Sequence, residues 1–282
     1  METELVFSDA LVTALTILFA VCILVPAMYY VWNVYKKKLN HPAMLAGLAA
    51  FFFFGYWLSG VLLAQLAPES RIAELGAGGY ALRRALCVSV SEIGGMLLAL
   101  SLLKKRSGGI GVPIGFGLGF RLFDLLFLGA MNALLRLSNA MTVNRDGLET
   151  VLEAAGADQA EALELQLRAL AETAPKLYWM SAVDYICMFV LSAALARILW
   201  FAVADGRLPA DRRLIVPAFL LRFLCELLLA LYAAGGSYRL CAALYYVLVA
   251  GTVCLTHALS RHYGGAEQVG GDHLKARPPR KR

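Results

Sequence analysis

The sequence predicts an all-α fold: a polytopic integral membrane bundle of about seven transmembrane helices, with its N-terminus out and its C-terminus in. Three observations carry that expectation. Of 282 residues, 60% are apolar or aromatic and only 16% are charged, against about 45–50% and about 25% in a soluble domain. The mean hydropathy is +0.66. Seven stretches reach the roughly 20 mainly apolar residues that a helix needs to cross about 30 Å of hydrocarbon. None alternates with the period of two that a membrane barrel strand would show. The composition excludes an ordinary soluble enzyme, a disordered chain and a disulfide-rich secreted module.

The spans read, in order, Asp9–Trp32, Met44–Leu66, Ala81–Leu103, Ile110–Leu135, Lys176–Ala204, Leu214–Ala234 and Leu240–Ser260. The first follows Glu2 and Glu4 and opens on Asp9. A signal peptide would be positive there, so this run is expected to be a retained span. Small residues recur every fourth position as Ser91, Gly95 and Ala99 in the third span and as Gly111, Gly115 and Gly119 in the fourth. That spacing lets helix backbones approach closely, and it predicts tight packing of the third helix on the fourth. A phosphate-binding loop is excluded, because no Gly-Lys-Ser/Thr follows the glycines.

Orientation follows from the basic residues. Lys36–Lys38, Lys104–Arg106, the group Arg207, Arg212 and Arg213, and the basic C-terminal tail fall on one side when the N-terminus lies outside. In a bacterium this would be the cytoplasmic membrane. The longest connection, 136–175, is then external. Its Leu148, Val151, Leu152, Leu163, Leu167 and Leu170 recur at helical spacing, predicting one or two amphipathic helices interrupted near Gly156 and ended by Pro175. The expected organisation is a membrane domain over 1–263 and a flexible basic cytoplasmic tail over 264–282.

Ionisable residues inside a membrane are costly and usually face the bundle interior. Here they are Glu92 in the third span, Arg121 and Asp124 in the fourth, Asp184 and Arg197 in the fifth, and Arg222 and Glu226 in the sixth. Arg121 and Asp124 stand at i,i+3, and Arg222 and Glu226 at i,i+4, so each pair shares a helix face. Mutually satisfied ion pairs that fix helix packing are one reading. A proton or substrate site built on Glu92 is the other. All six cysteines fall within spans without CxxC spacing, and read as small apolar residues. Only His257 among four histidines lies in a span, which argues against an H-E-x-x-H metal site and against a Ser–His–Asp triad.

Several segments together resemble the YhfC-type family of intramembrane peptidases, assigned to the glutamic type. "SVSEIGGMLLALSLLKK" is similar to the family's helix with a double Glu and an Arg before a basic loop. "PIGFGLGFRLFDLL" is similar to its glycine-rich helix bearing His and Glu. "SAVDYICMFVLSAALA" matches the helix with Glu-Arg and a later His, and "FLLRFLCELLLA" the helix with His-x-x-x-Asn. The resemblance covers about Ala81–Ala234. It places the family's double Glu on Ser91 and Glu92 and its Arg on Gly95. The His and Glu of the glycine-rich helix fall on Leu118 and Leu122. The Glu-Arg pair falls on Asp184 and Tyr185, the following His on Ser192, and the last His and Asn on Arg222 and Glu226. Only Glu92 is kept.

Glutamic hydrolysis needs a carboxylate to activate water and donors for the oxyanion. The resemblance therefore implies a catalytically inactive relative that binds a membrane segment, a ligand or a partner. Hydrolysis retained through Glu92 is the first alternative, and a proton-coupled transporter the second, hinted at by a helix break near Gly108–Gly119. The expected surroundings are the lipid bilayer and a transmembrane protein or peptide. No nucleic acid, metal or cofactor is expected.

Overall fold

A computed structural model describes residues 5–36, 38–66, 68, 72–105, 109–203, 211–233 and 238–275. The basic residues Lys37, Arg106 and Arg207, and the tail beyond Lys275, lie outside the described residues. Helices make up the described structure: α1 (Asp9–Tyr35), α2 (His41–Leu66), α3 (Gly76–Leu103), α4 (Gly111–Asp146), α5 (Leu148–Ala155), α6 (Ala157–Glu172), α7 (Pro175–Val203), α8 (Ile215–Ala233) and α9 (Tyr238–Lys275). Among the described residues, seven of them (α1–α4 and α7–α9) are long and apolar enough to cross a membrane. The chain is thus an all-α, multi-pass membrane protein.

Local chemistry sets the boundaries. The Ser8 hydroxyl accepts the Leu11 N–H at the start of α1. Asn40 caps α2 by accepting the Ala43 N–H at 3.0 Å, with Pro42 in the first turn, where its missing N–H costs nothing. Gly147 and Gly156 separate α4, α5 and α6 with φ of +87° and +80°, a backbone state that side chains disfavour. The interruption near Gly156 is as expected. Pro175, however, opens α7 rather than ending α6, which stops at Glu172 with extended Thr173 after it. α9 runs on as helical backbone to Lys275, past Gly264 where the sequence predicts the tail to begin.

Two helices widen midway. Phe51–Leu58 in α2 and Asp124–Ala130 in α4 are π-helical, a geometry that inserts a residue and shifts the faces on either side of it. The break expected near Gly108–Gly119 is not there: Gly111–Phe123 is regular α-helix, and Gly108 lies outside the described residues.

The chain divides into two compact units, residues 1–32 with 122–188, and 33–121 with 189–282. In the first, α5 and α6 pack on each other and on the last part of α4. Asn144 accepts the Phe7 N–H at 2.7 Å and donates to the Phe7 carbonyl at 2.9 Å. Gly129 leaves room for the Cys22 thiol and the Tyr185 ring.

In the second unit α3 is central, packed by α2 along one side and by α8 along another, while α9 packs on α8. The glycine ridge of α4 does not meet the third helix as expected. A Cβ at Gly111, Gly115 or Gly119 would run into the backbone of Lys38, Asn40 or Met44, and one at Gly47 into that of Phe116. The ridge is therefore a backbone-to-backbone seam with α2 and the turn that enters it. Gly117, on the other face, lies against Ala193 and Ala196 of α7. A four-residue repeat says that something approaches closely; it does not say which helix.

Candidate functional site

The second unit holds a charged core. On α3, Ala85, Ser89, Glu92, Met96 and Leu100 form one buried stripe, spaced as a helix face requires. On α8 the stripe is Ala218, Arg222, Cys225, Glu226 and Ala230. α4 is buried throughout Val112–Arg121. These faces bring Glu92, Arg121 and Arg222 together.

Glu92 is clamped from two sides. Arg121 Nη2 donates to both carboxylate oxygens, at 3.0 and 2.8 Å. Arg222 donates from Nε to Oε2 at 2.7 Å and from Nη2 to Oε1 at 3.2 Å. Arg121 Nε reaches the Ser192 hydroxyl of α7 at 2.8 Å, and its guanidinium lies 5.1 Å from the Phe51 ring centroid, within cation–π range. Glu92 and Arg121 are each 3% exposed and Arg222 is 1% exposed.

The chain of charges continues outward. Arg222 Nη2 lies 3.0 Å from Glu226 Oε2, the i,i+4 pair foreseen on α8. Glu226 Oε1 in turn accepts from Arg84 Nε at 3.2 Å, and Arg84 Nη1 is 3.5 Å from the Tyr80 hydroxyl. Arg84 ends the series half-exposed. Arg121, Arg222 and Arg84 thus alternate with Glu92 and Glu226 along the series. Arg222 Nη1 is buried with no acceptor among the described residues.

The other charges read from the sequence are divided between the two units. Asp124 and Asp184 belong to the first unit and are half-buried there. Arg197 belongs to the second, half-buried, and takes no part in the ion-pair chain. Arg84 is not among the charges singled out from the sequence, although it stands in the first turn of the span Ala81–Leu103. The signal for it was the spacing Tyr80, Arg84, Val88, which runs along α3 towards Ser91 and Glu92.

Two further positions on α3 are structural. The Ser91 hydroxyl donates to the Phe54 carbonyl, in the π-helical stretch of α2. A Cβ on Gly95 would collide with Phe54 Cβ and its ring. Ser91 and Gly95, one turn apart, thus form the seat of Phe54.

Fold and site together define a multi-pass helical membrane protein whose core is an interlocked Arg–Glu chain. The chain belongs to the YhfC family: a family model described as YhfC intramembrane metalloprotease matches residues 21–250. No curated protein and no solved structure matches.

That description names a metal, where the sequence resemblance implied glutamic chemistry, so the residues must be tested against a divalent cation. They do not fit one. A metal site needs deprotonated donors with free lone pairs, and Glu92 already accepts four N–H groups from two guanidiniums. Both groups paired with it are cations. Among the described residues no three His, Cys, Asp or Glu side chains come together.

Proposed function

We propose that this chain is a non-hydrolytic member of the family, which binds a membrane-embedded ligand or partner segment rather than cutting one. The observation that carries the proposal is the clamp on Glu92. A general base must offer a lone pair to a water or to the proton it takes. Glu92 has committed both oxygens to Arg121 and Arg222, in a position closed to solvent. The same arginines, which would be the donors for a developing oxyanion, are turned onto the carboxylate. The positions where the resemblance places the family's Glu, Arg and His hold Ser91, Gly95 and Leu118; the first two seat Phe54 and the third is buried. The basic clusters support a topology with the N-terminus outside and the C-terminus inside, in a bacterium the cytoplasmic membrane.

Purified full-length protein in vesicles, offered transmembrane peptides that active family members cut, tests this. No cleavage is expected, and Glu92→Gln should leave that output unchanged. Cleavage that disappears in the Glu92→Gln variant would overturn the proposal in favour of hydrolysis through Glu92.

A further inference from the structure

Within the second unit, a groove of about 470 Å³ opens between α2 and the end of α3. Small side chains create it, namely Ala46, Ala49 and Ala50 on α2 and Ala99 on α3, with Phe54 as a wall and Lys105 at the rim. Its position follows from the π-helical stretch that begins at Phe51, which re-aims the residues after it. Phe54 is fixed, since its carbonyl takes the Ser91 hydroxyl and its ring rests on Gly95. The groove is therefore preformed rather than dependent on a mobile ring.

Size and charge choose the occupant. A helix with its side chains is about 10–12 Å across, far too wide for this volume, which lies in the range of small-molecule sites at roughly 300–1,000 Å³. The lining is apolar except at Lys105, so a water cluster would find few partners. A single alkyl chain laid lengthwise meets both conditions. Lys105 stands exposed just beyond Leu103, the last residue of α3, and has no carboxylate partner among the described residues. An ammonium at the mouth of an apolar groove, where the span ends, suits a phosphate at headgroup depth.

We infer that this groove is a specific site for an anionic phospholipid, one acyl chain lying between α2 and α3 and the phosphate on Lys105. The inference does not depend on whether the chain hydrolyses anything.

The test uses full-length protein reconstituted with equal parts phosphatidylglycerol and phosphatidylcholine, then released and weighed by native mass spectrometry. One phosphatidylglycerol should be retained in preference by about fivefold, the ratio that one basic residue near the surface supplies. Lys105→Ala should bring retention to parity, while Lys105→Arg keeps the preference. Ala99→Phe, which fills the groove, should remove the retained lipid altogether. Ala49→Phe, at an exposed position, serves the same purpose if the first variant fails to fold. Parity in the unaltered protein, a preference that survives Lys105→Ala, or lipid retained by both groove-filling variants would overturn the site. So would a dimer that dissociates on filling the groove, because the occupant would then be a second copy of the chain.

Discussion

The two units handle polar groups in opposite ways. Residues 33–121 with 189–282 bury a chain of charges that pair with one another, from Arg121 through Glu92, Arg222 and Glu226 to half-exposed Arg84. In residues 1–32 with 122–188 the ion pairs Arg145–Asp146 and Arg168–Glu164 are exposed, while the partly buried links end on neutral groups: Asn144 on the Phe7 backbone, Arg136 on the Tyr178 hydroxyl at 3.2 Å, and close packing of Cys22 and Tyr185 at Gly129. The contrast separates two ways of being polar in a membrane. A neutral hydrogen bond stands largely alone, and its loss is local. A buried chain of charges is a single object, in which removing one member strands the next.

The comparison breaks if Glu92 proves dispensable. Glu92→Leu leaves both Arg121 and Arg222 without their main acceptor, and a broken buried pair typically costs about 3–5 kcal/mol. Thermal unfolding in detergent should show the largest loss here. Arg222→Leu should follow closely. The double variant Arg222→Leu/Glu226→Leu should be milder than the sum of its singles, since the two residues bind each other as well as Glu92 and Arg84. Additive losses would mean that the chain of charges is a list of separate contacts.

A smaller effect is expected at the glycine seam of the same unit. Gly119→Ala drives a methyl into the Met44 backbone, and overpacking of this kind costs about 1–3 kcal/mol. The same melting experiment serves, and an unchanged midpoint would show that α2 can retreat from α4.

In the other unit, Asn144→Ala removes two hydrogen bonds to Phe7, each worth about 0.5–1.5 kcal/mol net. Hydrogen exchange should show faster opening around Phe7 while amides near Glu92 are unaffected. Exchange that spreads to Glu92 would erase the contrast between the units. The least effect belongs to Arg168→Ala, which breaks an exposed i,i+4 pair with Glu164 on α6; a loss below about 0.5 kcal/mol is expected.

Much of this was legible from residue order alone. Hydropathy located the seven spans, because twenty apolar residues in a row have few other uses. The spacing of Arg222 and Glu226 identified their pairing, because i,i+4 partners share a helix face whatever the rest of the protein does. Partner choice between helices was not legible. Glu92 could be named as a costly residue, but nothing local says that Arg121 and Arg222 lie on either side of it. Arg84 escaped because it sits at the edge of a span, where an arginine usually marks topology. The π-helical stretches have no composition of their own, so Phe54 could not be foreseen as the residue that Ser91 and Gly95 hold. Asp124 shares a face with Arg121 by spacing, yet the two belong to different units, since the dividing line passes between Arg121 and Leu122.

The seat of Phe54 limits what two positions of α3 can hold. Ser91 and Gly95 are now needed for the packing of α2 on α3, so neither is free to change alone. A glutamate at position 91 would lose the hydroxyl that holds the Phe54 carbonyl, and an arginine at position 95 would enter space that the Phe54 ring fills. Either change must therefore shift Phe54 first, so the residues that α3 can carry at 91 and 95 are set by the π-helical stretch of α2 that holds Phe54.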